Sequence, residues 1–117
     1  MRPDERDAAY LWDMMEAAKT VLDFTRDQTF DRYQQDKKLR LAVERGIEII
    51  GEAAARVSGE FRDAHQEISW KAIIGQRNVL VHEYGEIKHE RIWAVASQRI
   101  PELLRLLEPL IPPSPES

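Results

Sequence analysis

The sequence contains no cysteine. Disulfides, thiolate nucleophiles and cysteine zinc sites are therefore excluded. It has no run approaching the roughly 20 apolar residues that a membrane-spanning helix needs. Residues 1–7 are rich in charge and lack a hydrophobic stretch, unlike a secretory leader. A cytoplasmic protein with no membrane partner is the expectation. Glycine and proline are scarce, at five and six residues, and Pro112, Pro113 and Pro115 are crowded into the last six positions. With so few breakers, long helices are permitted. No alternating apolar and polar segment is long enough for a strand, and no internal repeat is visible. A chain of 117 residues is about one domain. We expect one helical domain over residues 1–111 and a Pro/Ser-rich tail over residues 112–117.

Charge is present in quantity but balanced toward acid. Seventeen basic and 21 acidic side chains give a net charge of −4, so bulk attraction cannot draw this protein to a polyanion. Divided along the chain, only residues 29–57 are net positive, with six basic and five acidic groups. Lys37, Lys38, Arg40 and Arg45 cluster there. They form the candidate nucleic-acid-binding surface, or else the solvated face of a helix.

Hydrophobic spacing outlines the helices. From about residue 4 to 25, Leu11, Met15, Ala18 and Leu22 recur at helical steps. A polar turn follows, with Thr29 placed to cap the next helix. Leu39, Val43, Ile47, Ile50, Ala54 and Val57 continue one stripe, predicting a single long helix over residues 30–57 that ends at Ser58-Gly59 with the glycine in a left-handed C-cap. A short helix around residues 61–65 is expected next. Ser69 should cap a helix running to about Val81, and Gly85 should end the turn beyond it. A last helix from about residue 87 to 110 carries Ile92, Val95, Arg99, Leu103, Leu106 and Leu110 and should kink at Pro101. The fold class predicted is all-α, an antiparallel bundle of four or five helices. Trp12, Trp70 and Trp93, on three different helices, are expected as core anchors.

The segment with chemical content is residues 69–85, SWKAIIGQRNVLVHEYG. On a helix, Trp70, Ile74, Arg77, Val81 and Tyr84 share a stripe, which places a guanidinium among apolar side chains. Burying an unpaired charge costs several kcal/mol, so about that much requires Arg77 to be paired, or to face a polar cleft or a subunit boundary. At about 100° per residue, Arg77, Asn78 and His82 stand near 0°, 100° and 140°, spread over roughly 7.5 Å of axis. One helical edge thus carries a fixed cation, an amide and a titratable imidazole. These groups suit cleavage of RNA by its own 2′-hydroxyl, which needs no metal ion, no cofactor and no protein nucleophile. Histidine can take or give the proton, and arginine can stabilise charge developing on the phosphate. One edge supplies one imidazole, whereas the reaction gains from both a base and an acid. Two copies across a two-fold axis would supply both. Against this stands the plainer reading of a salt-bridged surface pair.

The segment 77–84, Arg-Asn-Val-Leu-Val-His-Glu-Tyr, resembles the R-x4-H-x-Y signature of HepT-type proteins in the HEPN superfamily. The likeness extends along most of the chain. Ile49-Ile50-Gly51-Glu52-Ala53-Ala54 resembles the family's second helix, Ile68-Ser69-Trp70 with Ile73-Ile74-Gly75 its approach to the motif, and Arg91-Ile92-Trp93 with Pro101-Glu102-Leu103-Leu104 its last helix. Ser69 stands where many relatives carry proline. The resemblance implies an all-helical homodimer whose two motifs meet in an interfacial cleft, acting as the metal-independent ribonuclease toxin of a toxin–antitoxin pair. It implies as partner a minimal, MntA-like nucleotidyltransferase that silences the toxin by attaching AMP to the motif tyrosine. Carried over, Arg77 and His82 become the catalytic pair, Asn78 a supporting polar group and Tyr84 the modification site. An adenylylated phenol two residues beyond His82 would put anionic bulk where RNA phosphate must sit. On residue type alone, Tyr84 could equally be a buried aromatic at the helix end.

Other helical sites fit poorly. Di-iron bundles need Glu-x-x-His on two helices, and the chain has only Glu86-Ile87-Lys88-His89. Zinc-hydrolase His-Glu-x-x-His spacing is absent. His65 and His89 are expected at the surface, and Glu52 could orient Arg77 across the bundle. A different class of function also stays open: a non-catalytic helical chain that binds, and is adenylylated by, the nucleotidyltransferase.

Overall fold

The computed structural model describes residues 2–112, and these form helices joined by short turns, with no strand among them. Helix α1 spans Glu5–Thr25; extended Asp4 opens it by accepting the Asp7 N–H at 2.7 Å. Thr29 caps α2, Phe30–Gln35, by accepting the Arg32 N–H at 3.2 Å. Helix α3 is Lys37–Arg56, α4 Gly59–Ala64, α5 Trp70–His82 and α6 Gly85–Ala94. A π-turn over Val95–Arg99 leads into α7, Ile100–Leu107.

The main core lies between α1 and α3. Leu11, Met14, Ala18 and Val21 meet Val43, Ile47, Ile50 and Ala54, all almost fully buried. Each large apolar side chain so placed contributes about 1.5–3 kcal/mol over its exposed state. Gly46 and Gly51 let neighbours approach α3 closely: a Cβ at Gly46 would lie 2.4 Å from Val21 Cγ2, and one at Gly51 3.3 Å from the Ile73 carbonyl oxygen. Helix α7 packs against α1, whereas α5 leans on α3 and α6 returns over α2. Asp7 is buried at 3% exposure; its carboxylate accepts the Ser58 N–H at 2.8 Å and the Ser58 hydroxyl at 2.6 Å, tying the first turn of α1 to the α3–α4 junction.

Several sequence expectations are corrected. The long helix over 30–57 is broken at Asp36, which is extended and spends its side chain on the Leu39 N–H at 3.0 Å, opening α3 afresh. The stripe from Val43 to Val57 is buried as expected. Gly59 is not a left-handed cap. The helix stops at extended Val57, and Ser58 caps α4 by accepting the Phe61 N–H at 3.2 Å. Ser69 sits at the N-cap of α5 but its side chain makes no capping bond. The last helix stays in the right-handed helical region from α6 through Val95–Arg99 into α7, with no break at either junction. Pro101 lies inside that run, two residues beyond the end of the Val95–Arg99 π-turn, which shifts the phase of the stripe. Ile100 and Leu107 therefore enter the core while Arg99 faces out. Of the three tryptophans, Trp70 is buried and Trp93 partly so, but Trp12 is 37% exposed on the outer face of α1. The tail beyond Pro112 lies outside the described residues.

Candidate active site

Helix α5 is buried at its start and more exposed toward its end. Trp70, its one buried residue, donates its indole N–H to the His65 carbonyl at 2.9 Å and meets Phe61 edge-on at 6.4 Å between ring centres. Farther along the stripe Ile74 is half-buried, Val81 is 56% exposed and Tyr84 80% exposed. The stripe thus runs from core to surface. Arg77 consequently needs no internal counter-ion: it is exposed, as are Asn78 and His82. Among the described residues these three side chains form neither a hydrogen bond nor an ion pair, so they stand ready to meet something outside the protomer.

Of the three, Arg77 lines a groove of about 480 Å³ between α3 and α5, with Glu48, Glu52, Ile74, Leu80 and Val81 among its other residues. Its rim carries both signs of charge. Glu52 does not orient Arg77; its Oε1 lies 4.0 Å from Arg45 Nη1, and Arg45 also holds Glu48 at 2.6 Å. The reason is spacing on one helix, which brings 45, 48 and 52 to the same face. Of the basic cluster, Lys37 and Lys38 are exposed in the first turn of α3, Arg40 donates to the Gln34 carbonyl, and Arg45 is paired as described.

The helix end itself is defined by the Glu83 N–H, which donates to the Val79 carbonyl at 3.2 Å. Glu83 and Tyr84 are extended, and Gly85 at φ +68° opens α6, a left-handed conformation that glycine adopts without strain. Tyr84 is not the buried helix-end aromatic; its ring stands in solvent. Glu83 turns inward, and its Oε1 pairs with Arg91 Nη1 at 2.8 Å. Sequence reasoning missed this pair, since nothing in the spacing of Glu83 and Arg91 marks them as partners across a turn.

His65 and His89 are not at the surface. His65 stacks on Phe61 at 4.3 Å and pairs with Glu67 at 3.1 Å; a hydrogen bond from the Glu67 backbone, and after it His65, holds that carboxyl below its usual range. His89 meets Tyr33 edge-on at 6.3 Å, and its Nδ1 is buried without a hydrogen-bond partner. Burial and the nearby Arg40 guanidinium hold the His89 imidazole below its ordinary pKa, and burial pushes the enclosed Tyr33 phenol above its own. Among the described residues no three histidine, aspartate or glutamate side chains converge to hold a metal ion.

Comparison with known proteins shows the family to which the chain belongs. Residues 14–110 match the family model described as "Ribonuclease HepT-like". The chain is 34% identical to "Putative RNase MJ1380" of Methanocaldococcus jannaschii over 100 residues, covering 86% of this chain and 92% of that protein. It is 36% identical to "Probable ribonuclease HepT" of Thermococcus cleftensis over 101 residues, covering 86% and 92% respectively. A second M. jannaschii relative, "Putative RNase MJ0127", is 36% identical over 103 residues, with 88% of this chain and 85% of that protein covered. No solved structure matches the chain. The family match spans the core, the motif helix and the last helix together, and the chain belongs to the HepT-like ribonuclease family of the HEPN superfamily.

Proposed function

We propose that this protein is the metal-independent endoribonuclease toxin of a toxin–antitoxin pair, cutting RNA at a composite site where the motifs of two protomers face each other. The observation that carries the reading is the display of Arg77, Asn78 and His82, exposed and without internal partners, on the second half of α5. In the reaction one His82 takes the proton of a ribose 2′-hydroxyl, whose oxygen attacks phosphorus. The 5′-oxygen leaves, protonated by the second His82, and a 2′,3′-cyclic phosphate remains. Arg77 stabilises the charge gathered on the phosphate oxygens, and Asn78 supports it with a hydrogen bond. Lys37 and Lys38 extend the RNA-binding surface, with Arg40 and Arg45 behind them.

The exposure of Tyr84 supports a silencing step by modification. The phenolic oxygen attacks the α-phosphorus of ATP held by an MntA-like nucleotidyltransferase; pyrophosphate leaves and the phenolic proton passes to a base of that enzyme. The new phosphodiester then repels and blocks RNA beside His82.

The test is cleavage of RNA by the purified chain in a metal chelator, with its partner absent. The parent should cut, and His82→Ala and Arg77→Ala should each lose roughly a hundredfold or more. Equal cutting by all three, or cutting by none, rejects the nuclease. The 80% exposure of Tyr84 favours one second reading, a non-catalytic chain whose purpose is to be modified. That reading is chosen if the transferase and ATP add mass to the parent but not to Tyr84→Phe while no RNA is cut.

A further inference from the structure

Between two exposed residues of the motif, Glu83 is turned inward. Its side chain keeps only 24% of its surface; Oε1 lies 2.8 Å from Arg91 Nη1 and Oε2 is buried with no hydrogen-bond partner. For stability alone that is a poor arrangement, since a desolvated carboxylate oxygen without a donor is costly and an outward glutamate would be fully hydrated. What holds it there is the guanidinium of Arg91.

The backbone makes that inward turn consequential. Glu83 has φ −105°, ψ 146° and Tyr84 has φ −132°, ψ 156°. Successive side chains of extended residues point to opposite sides, so a carboxylate fixed inward at 83 sends the phenol at 84 outward, and it fixes the peptide that follows His82. Arg91 is a firm post for such a tie. It lies in the last turn of α6, and α6 is itself fastened to α3 by Lys88 Nζ to Glu44 Oε1 at 2.6 Å, a pair whose side chains are only 21% and 20% exposed. The Glu83–Arg91 contact therefore spans the α5–α6 turn from its anchored side to its chemically active side.

We propose that Glu83 and Arg91 form a positioning clamp that sets the direction in which His82 and Tyr84 face, neither of the two touching RNA. The inference rests on the roles given above to His82 and Tyr84. Without the cation, desolvation drives the Glu83 carboxylate out to water, and in an extended pair that motion swings Tyr84 inward and rotates the end of α5. The variants are Arg91→Ala and Arg91→Lys, read by RNA cleavage kinetics and by amide hydrogen exchange over residues 83–87. For Arg91→Ala we expect kcat to fall roughly fivefold to tenfold with KM within about twofold, the scale set by one half-exposed ion pair. Exchange over 83–87 should rise by a similar factor. Arg91→Lys should restore both to within about twofold of the parent. Unchanged exchange in Arg91→Ala overturns the clamp. So does a raised KM with unchanged kcat, because it would make Arg91 a direct RNA contact. If the parent cuts no RNA, the nuclease reading fails separately, and the exchange measurement still decides the clamp.

Discussion

A methyl group added at Gly46 and one added at Gly75 should have opposite effects. At Gly46 the new Cβ would stand 2.4 Å from Cγ2 of Val21, a side chain with no exposed surface, so α1 and α3 must separate or Val21 must leave its rotamer. Overpacking of this kind costs about 1–3 kcal/mol. At Gly75 nothing lies within 4 Å, and the residue is exposed in the interior of α5. There alanine removes backbone freedom from the unfolded chain and should gain about 0.5–1 kcal/mol. Urea unfolding of Gly46→Ala and Gly75→Ala should move the midpoint down and up respectively; a neutral Gly46→Ala would show that α1 can yield at this point. The residue scale also marks where sequence reading reached its limit. Arg77, Asn78 and His82 are legible as near neighbours because their relation depends only on the period of a single helix, and all three lie exposed on α5. Gly46 against Val21, Asp7 against Ser58 and Glu83 against Arg91 depend on how separate elements come together, which no local pattern encodes.

Elements were legible where their ends carry local chemistry. Thr29, Asp36 and Ser58 all cap helices with their side chains, yet only Thr29 stands in a polar turn that marks it as a cap; Asp36 lies just before the stripe begins at Leu39, and Ser58 just after it ends at Val57. No glycine or proline marks the break at Asp36, so spacing alone runs the two helices together. Helix α6 shows a further property invisible in its spacing: it buries Ile92 alone among its ten residues and docks largely through polar and aromatic contacts. His89 takes part, edge-on to Tyr33 from α2, with Arg40 and Glu44 of α3 and Lys88 and Glu86 of its own helix around it. Its pKa is held below the ordinary value, chiefly by burial and then by Arg40. The unfolded chain therefore binds the proton more readily than the folded one. Stability from this source is complete above about pH 6.5 and is lost as pH falls through the lower, folded pKa. Unfolding by urea at pH 7.5 and pH 5.5 should show the parent weakening toward acid, and His89→Gln should weaken less. An identical slope in the two proteins would mean that His89 is not the group responsible.

For the whole molecule, the apolar stripe of α5 poses a problem that a lone protomer does not solve. Val81 is 56% and Ile87 63% exposed beside the motif, and Leu41 of α3 is 56% exposed on the helix face that it shares with Glu48 and Glu52 of the adjoining groove. The periodicity read from the sequence is real, but which part of a stripe is covered by the same chain and which part by another is not written in one chain's pattern. A second copy covering this surface would bring two Arg77–His82 edges together and supply both a base and an acid. That arrangement makes a quantitative prediction. When parent and His82→Ala chains are mixed in equal amounts and allowed to exchange, about a quarter of the dimers carry two imidazoles, against about half before exchange. If both imidazoles are needed, RNA cleavage should fall to about half its initial rate as subunits exchange, and sedimentation should report a dimer throughout. Cleavage that holds steady while labelled subunits demonstrably exchange would mean that each protomer cuts with its own histidine, and the apolar surface beside Arg77 would then have to be explained by some purpose other than catalysis.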